Sequence, residues 1–192
     1  MKEIIVIGGA NGSGKTTLAR EVVAAYGIEY LAADEIAAKL NADSPESAAV
    51  KAARVFSRRL DELLQANDSF IIESTLSGLS LKRRLGIARA NGFRVRIYFV
   101  YLDSAELCVR RIASRVAKGG HSIPERDVRR RFPRSNQNFW SVYKNLADEW
   151  SLFFNAGDSF QQIAAGVHSS VIILDETRYA EWLRMAENKT AK

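Results

Sequence analysis

The sequence predicts an α/β fold in which helices cover both faces of a parallel β-sheet. Three observations support this prediction: short apolar runs of strand length recur along the chain, helical stretches separate them, and a glycine-rich turn joins the first strand to the first helix. Alternation of this kind is typical of repeated β-α units.

The apolar runs predict five main strands and two shorter ones, at residues 4–7, 27–31, 70–72, 95–102, 151–154, 160–164 and 171–174. The pattern predicts helices at residues 16–25, from 34, from 45, at 81–90, at 105–117, from 124 and from 177. Ser104 is expected to cap the fifth of these helices. Pro133 is expected to kink or interrupt the sixth, because proline lacks the N–H donor of a helical residue.

Length and composition fit one globular domain over residues 1–192, because 47% of the residues are hydrophobic. No apolar run approaches the length of a membrane span, and the amino terminus lacks the layout of a signal peptide. The single cysteine, Cys108, is expected to be a core residue and can form no internal disulfide. These features favour a cytoplasmic protein without membrane contact.

The basic residues are concentrated in one part of the chain. The net charge is +6, but residues 82–134 contain 15 Lys or Arg against 4 Asp or Glu. Such a block indicates a phosphate-rich partner, which could be nucleic acid or a nucleotide under a positively charged lid.

Residues 9–16 form a complete G-x-x-x-x-G-K-[ST] phosphate loop between a predicted strand and a predicted helix. Backbone N–H groups of such a loop point inward at phosphate, and the helix amino terminus adds positive partial charge. Lys15 is expected to neutralise the β and γ phosphates, and the Thr16 hydroxyl to bind Mg²⁺. The residues expected to bind ATP or GTP are Gly9, Ala10, Asn11, Gly12, Ser13, Gly14, Lys15, Thr16, Thr17 and Arg130.

Two carboxylates follow predicted strands and are expected at the crevice that holds the nucleotide, because parallel strands meet there at their carboxyl ends. Asp34 follows the second strand and could accept the proton of a hydroxyl nucleophile, although an aspartate there also suits a helix cap. Glu73 ends the third strand and could order Mg²⁺ or bind the acceptor, together with nearby Thr75. The alternative for Glu73 is an ion pair with a neighbouring arginine.

An arginine-rich lid is expected at about residues 110–135, where a Gly119-Gly120 hinge separates two helices. Phosphoryl transfer requires cations around the transferring group, and guanidinium groups suit that geometry. Most of these arginines are expected on solvated helical faces, and Arg115 with either Arg130 or Arg131 is expected to reach phosphate. His121, beside the hinge, is expected to stabilise the loop or contact substrate rather than transfer a proton.

Four segments together resemble the zeta-toxin family, and more closely its chromosomal relatives, which are often labelled predicted ATPases. The segments are GGANGSGKTT, LAADEIA, FIIESTLSG and RRIASRVAKGGHSIPERDVRRRFPRS, and the similarity covers about residues 4–166. The lid segment, with Gly119-Gly120-His121 before Ile123-Pro124, is the most specific part.

The resemblance implies a phosphotransferase with a nucleoside-kinase-like core. The characterised toxins phosphorylate the 3′-hydroxyl of the amino sugar of UDP-N-acetylglucosamine, with ATP or GTP and Mg²⁺. By matching motifs, Asp34 corresponds to the catalytic base, Glu73 to a substrate-binding acid and Arg115 to the first lid arginine. The second lid arginine lies among Arg129, Arg130 and Arg131, and the resemblance leaves all three open; Arg131 is our candidate for the catalytic role. The chain departs from the toxins in its compact Ala-rich stretch at residues 37–53, which leaves the acceptor and any toxicity open.

The sequence therefore predicts a P-loop kinase that phosphorylates a hydroxyl of a small molecule, such as a nucleotide sugar. A polynucleotide 5′-hydroxyl kinase or nucleic-acid-dependent ATPase is the rival enzyme. It is disfavoured because no surface with interleaved aromatic residues accompanies the basic block. The non-enzymatic alternative is a nucleotide-dependent switch with an antitoxin-like protein partner.

Overall fold

A computed structural model describes residues 2–41, 45–120, 122–157, 159–168 and 170–187. Its strands are β1 (Glu3–Gly8), β2 (Glu29–Ala32), β3 (Phe70–Ser74), β4 (Arg94–Tyr101), β5 (Glu149–Asn155), β6 (Phe160–Val167) and β7 (Ser170–Ile173). Its α-helices are α1 (Lys15–Tyr26), α2 (Ala33–Leu40), α3 (Pro45–Ala66), α4 (Ser80–Ala90), α5 (Ala105–Ala117), α6 (Glu125–Asn138) and α7 (Glu176–Glu187). Each predicted strand and helix is thus present, with ends shifted by a few residues.

The strands form one sheet in the order β2-β3-β1-β4-β5-β6-β7. The first five strands of this order are parallel, as the alternation of strands and helices predicts. Strands β6 and β7 extend the sheet as antiparallel neighbours, because no helix intervenes between β5 and β6 or between β6 and β7. The parallel part confirms the predicted α/β fold, and the antiparallel edge is an addition to it.

Strand β1 shows how the sheet is covered on both faces. Ile4 and Val6 belong to a buried cluster with side chains of α3, α4 and α7. Ile5 and Ile7, which point the other way, belong to a second cluster with side chains of α1. A strand buried on both faces reads as a continuous apolar run, which is why residues 4–7 predict it so clearly.

A third apolar cluster connects the phosphate loop to helices α5 and α6. Ala10 of the loop is buried together with Cys108 and Ile112 of α5 and with Val128 and Phe132 of α6. Cys108 is thus a core residue, as expected, and burial raises the pKa of its thiol to about 11. The two helices of the predicted lid therefore share an apolar cluster with the phosphate loop.

Helix α6 includes Pro133 without interruption, so of the expected kink or interruption at this residue the interruption is not observed. The chain departs from α-helical geometry only later, in a π-helical turn at Phe139–Tyr143 and a 3₁₀ turn at Lys144–Leu146. Phe139, on the π-helical turn, stacks on Phe99 of β4, with ring centroids 4.3 Å apart. This packing ties the end of α6 to the middle of the sheet.

Trp182 of α7 lies at the centre of the aromatic packing on this face. Its buried ring contacts Phe99, Tyr101, Phe139, Trp140 and Tyr179. Its indole N–H donates to the side-chain oxygen of Asn136 at 2.9 Å, so the one polar atom of the ring is satisfied.

Within the part of the chain that the structure describes, no helix has both the length and the apolar character that crossing a membrane requires.

Replacing Trp182 with alanine should lower the free energy of unfolding by about 3–5 kcal/mol, because a cavity replaces a fully packed ring. Urea denaturation followed by circular dichroism measures this change. Ile172→Ala is the control, since Ile172 on edge strand β7 is 63% exposed. Its loss should change stability by less than about 0.5 kcal/mol. Equal effects of the two substitutions would show that the aromatic cluster is not the packing centre.

Candidate active site

The phosphate loop follows β1 and leads directly into α1, which begins at Lys15. Gly14 precedes the helix with a φ of +104°, in the left-handed region that favours glycine. A side chain at this position would also overlap the side-chain amide of Asn155. The predicted strand, loop and helix are therefore confirmed, and the sharp turn between them requires glycine.

Lys15 is held in a buried position inside the loop. Its side chain is 7% exposed, and its ammonium donates to the carbonyl oxygen of Ala10 at 2.9 Å. The same nitrogen lies 3.7 Å from Oε1 of Glu73, whose side chain is 9% exposed. A buried cation needs a counter-charge, and Glu73 provides it here.

Glu73 is the residue on which the polar contacts of the site converge. Its Oε2 accepts a hydrogen bond from the Thr16 hydroxyl at 2.9 Å and another from the Tyr30 phenol at 2.7 Å. The alternative expectation, an ion pair with an arginine, is not what the structure shows, because Lys15 is the basic residue beside this carboxylate. Strand β3 lies between β1 and β2 in the sheet, which brings the three contacts to one carboxylate.

Tyr30 is a site residue that the sequence did not reveal. It pairs in register with Ile71, so it lies on β2 diagonally opposite Glu73. Burial, followed by the negative charge of Glu73, raises the pKa of the Tyr30 phenol well above its ordinary value. The phenol therefore remains protonated at neutral pH and donates to the carboxylate.

Asp34 lies in the first turn of α2 and is exposed. The helix is preceded by Ala32 in the capping position, and no side chain caps it, so the expectation that Asp34 is a helix cap is wrong. The chain enters the helix one residue earlier than the sequence suggests, which moves Asp34 inside the first turn. There Asp34 lines the space in front of the phosphate loop.

Two cavities meet at these residues. The first, which we call the loop cleft, has a volume of about 930 Å³ and is lined by the phosphate loop, the start of α1, the outer face of α5 and the loop after β5. The second, which we call the arginine cavity, has a volume of about 570 Å³ and lies between α3, α6 and the segment after β3. Four residues line both cavities: Asn11, Lys15, Asp34 and Glu73.

Most of the remaining predicted residues line one of the two cavities. Gly12, Gly14, Thr16, Thr17 and Arg115 line the loop cleft, and Thr75, Arg130 and Arg131 line the arginine cavity, whereas Gly9, Ala10 and Ser13 line neither. The Thr75 hydroxyl is hydrogen-bonded to that of Ser77 at 2.9 Å. His121 lies outside the described residues.

The structure separates the three candidate arginines of α6. Arg129 forms ion pairs with Glu106 and Glu125 and lines neither cavity. Arg130 reaches the arginine cavity while its guanidinium pairs with Asp127 at 3.0 Å. Arg131 donates to the side-chain oxygen of Asn11 in the phosphate loop at 3.2 Å. Arg131 is therefore the α6 arginine in direct contact with the loop.

Asn155, at the end of β5, is a second residue that the sequence analysis missed. Its side-chain N–H donates to the carbonyl oxygen of Ser13 at 2.8 Å, and the N–H of Gly157 donates to its side-chain oxygen at 2.9 Å. Its position at the carboxyl end of a parallel strand is the signal that could have revealed it.

Much of the basic block is paired locally with carboxylates away from the cavities. Arg84 pairs with Asp61, Arg89 with Asp148, and Arg94 and Arg96 both pair with Glu149. This pairing reduces the charge that these arginines present to a partner. It weakens the charge-based argument for a nucleic-acid ligand.

Fold and site together define a P-loop kinase-like domain. The family model described as an AAA domain (AAA_33) matches residues 4–134. The chain belongs to this family.

Individual proteins are similar to this chain in sequence or in fold. An uncharacterised protein of Haemophilus influenzae (strain Rd) is 36% identical over 124 residues, which are 65% of this chain and 88% of that protein. A chain of the AvrRxo1-ORF1:AvrRxo1-ORF2 complex with ATP has a TM-score of 0.76 at 14% identity. The match covers 100% of this chain and 66% of that one, so this chain spans slightly less than two thirds of that relative.

A chain of the PezAT chromosomal toxin–antitoxin system of Streptococcus pneumoniae has a TM-score of 0.66 at 13% identity. That match covers 100% of this chain and 81% of the other. At these identities the two structures establish a shared fold.

A double-mutant cycle with Tyr30→Phe and Glu73→Ala should give a coupling free energy of about 1–3 kcal/mol, because the hydrogen bond joins a phenol to a charged carboxylate. Equilibrium unfolding of the wild type, both single variants and the double variant measures it. A matched cycle with Tyr143→Phe and Glu73→Ala should give no coupling, since Tyr143 donates to the carbonyl of Gly78. Additive effects of Tyr30→Phe and Glu73→Ala would contradict the contact.

Proposed function

We propose that this protein is a kinase that transfers the γ-phosphate of ATP or GTP to a hydroxyl group of a small molecule. The observation that carries the proposal is the meeting of two cavities at Asn11, Lys15, Asp34 and Glu73. A phosphate loop alone supports nucleotide binding. A second cavity that opens on the same lysine and carboxylates supports transfer, because it offers a place for an acceptor beside the γ-phosphate.

The nucleotide occupies the loop cleft in this proposal. Its phosphates lie against the loop N–H groups at the amino terminus of α1, where the helix dipole also favours negative charge. Lys15 exchanges its contact with Glu73 for the β and γ phosphates. Because a lysine that is 7% exposed has lost most of its water, a phosphate contact with it is strong.

The residues present also fit a magnesium ion. Mg²⁺ prefers oxygen ligands, and it is usually held by one or two protein oxygens together with phosphates and water. The Thr16 hydroxyl and the Glu73 carboxylate, 2.9 Å apart, offer such a pair beside the phosphate loop. Thr16 would hold the ion directly and Glu73 would order its water ligands. When bound, the ion neutralises charge on the β and γ phosphates.

Asp34 acts as the base that orients and deprotonates the acceptor hydroxyl. Asp34 is exposed and lines both cavities. A base needs such a position, because it must reach the acceptor hydroxyl in one cavity and face the γ-phosphate of the nucleotide in the other. Arg131 beside Asn11, and Arg115 in the lining of the loop cleft, stabilise negative charge on the transferring group.

The acceptor carries an anionic group in addition to its hydroxyl, and a nucleotide sugar such as UDP-N-acetylglucosamine has both. Arg130, Arg131 and Arg134 on one wall of the arginine cavity support this assignment. Thr75, Ser77 and Ser80 offer hydroxyl groups for hydrogen bonds to a sugar, and Phe56 offers an apolar surface.

The zeta-toxin subtype and an antitoxin-like partner belong to the same proposal. They are supported by the four sequence segments that resemble the toxins and by the fold shared with the PezAT chain. A partner of this kind would bind over the loop cleft and keep nucleotide out.

Asp34→Asn should reduce the rate of phosphate transfer by about two to four orders of magnitude, the usual contribution of a positioned base, while ATP affinity changes little. Steady-state transfer and calorimetric ATP binding measure the two quantities. Glu35→Gln is the matched control, because Glu35 is the neighbouring carboxylate of the same helical turn and lines neither cavity. Normal transfer by Asp34→Asn would exclude Asp34 as the base.

Incubation with γ-labelled ATP and separate panels of nucleotide sugars, nucleosides, sugar acids and oligonucleotides should transfer label to an anionic small molecule. Lys15→Ala should abolish that label, because the phosphates lose their buried cation. Label on oligonucleotide 5′ ends would instead support a polynucleotide kinase. Label released only as inorganic phosphate would support a switch and contradict the proposed kinase.

A further inference from the structure

Asn155 connects the phosphate loop to the turn after β5 through both ends of one buried amide. It is 6% exposed. Its side-chain nitrogen donates to the Ser13 carbonyl at 2.8 Å, and its side-chain oxygen accepts from the Gly157 N–H at 2.9 Å. The side chain thus joins backbone atoms of two loops that are far apart in sequence.

The contact with Ser13 determines the orientation of a whole peptide group. The Ser13 carbonyl and the Gly14 N–H belong to the same planar unit and, in a trans peptide, point in opposite directions. When Asn155 holds the carbonyl toward β5, the Gly14 N–H is directed away from β5. Asn155 itself lines the loop cleft, and within the cleft the phosphates are expected to lie over the N–H groups of the loop rather than beside its carbonyl oxygens.

Asparagine suits position 155 because its side-chain amide carries an N–H donor and a carbonyl acceptor on the same carbon atom. Aspartate, when ionised, could accept from Gly157 but could not donate to Ser13, and leucine could do neither. The close approach also explains Gly14, since a side chain there would overlap the Asn155 amide. The two residues depend on one another.

We propose that Asn155 is a positioning residue for triphosphate binding: it fixes the Ser13–Gly14 peptide so that the Gly14 N–H is presented to phosphate. Asn155 acts through the loop backbone. Asn155 and Gly157, its second partner, both line the loop cleft, so the same amide links the phosphate-binding loop to the turn after β5 within the lining of that cleft. The proposal rests on the nucleotide binding of the proposed function and is independent of any phosphate transfer.

The test measures binding of inorganic tripolyphosphate and of ATP to the full chain by calorimetry. Asn155→Asp and Asn155→Leu should each weaken both ligands by about tenfold or more, the effect of one lost hydrogen bond. Asn155→Leu separates the lost bond from the added charge of Asn155→Asp. Asn145→Asp is the control, because Asn145 is exposed and donates to the carbonyl of Ser141, away from the cleft. It should bind tripolyphosphate and ATP as the wild type does.

The amide resonance of Gly14 gives a second readout that a purely structural role would not change. In the wild type, tripolyphosphate should move the Gly14 N–H resonance downfield, and this shift should be lost in both Asn155 variants. Affinity within twofold of the wild type in folded variants would overturn the proposal. So would a wild-type Gly14 resonance that does not move when tripolyphosphate binds, a result that needs no variant.

These measurements distinguish failure of the proposed kinase function from failure of the proposed role of Asn155. A wild-type protein that binds ATP, shows the Gly14 shift and transfers no phosphate would contradict the kinase and leave the role of Asn155 intact. A wild-type protein that binds neither ligand would overturn both.

Discussion

The rest of the site depends on the polar contacts that the Glu73 carboxylate makes. It is 9% exposed and would be costly to bury alone, yet it accepts from Thr16 and Tyr30 and lies beside Lys15. These contacts bring strand β2, strand β3 and the start of α1 to one point. Each of the three partners also gives Glu73 a fixed position before any ligand arrives, so the phosphate loop faces a carboxylate that is already oriented.

Sheet order explains why this point lies between two cavities. Strand β1 has β3 on one side and β4 on the other. The connection after β1 runs to β2, whereas the connection after β3 runs in the opposite direction, to β4. Ligands of open α/β sheets bind at such a place, outside the carboxyl ends of the strands. Helices α5 and α6 complete the site because they pack in one apolar cluster with Ala10 of the phosphate loop, which keeps Arg131 of α6 in contact with the loop.

The sequence predicts those parts of the structure that have a local signal. The phosphate loop, the buried strands and the positions of Asp34 and Glu73 at strand ends all follow from patterns within about ten residues. Tyr30 and Asn155 were not predicted as site residues, because their contacts join residues 43 and 142 positions apart and neither residue lies in a motif. The choice among the α6 arginines needed side-chain geometry, since Arg129 and Arg131 differ in what they pair with and not in sequence context.

A crystal structure of the protein with Mg²⁺ and a non-hydrolysable ATP analogue tests this arrangement of the site. The γ-phosphate should lie at the junction of the two cavities, bound by Lys15, while the Thr16 hydroxyl leaves Glu73 for the metal. Asp34 and the arginine cavity should then face the γ-phosphate from the other side. An analogue whose γ-phosphate points away from Asp34, with Thr16 still bonded to Glu73, would contradict it.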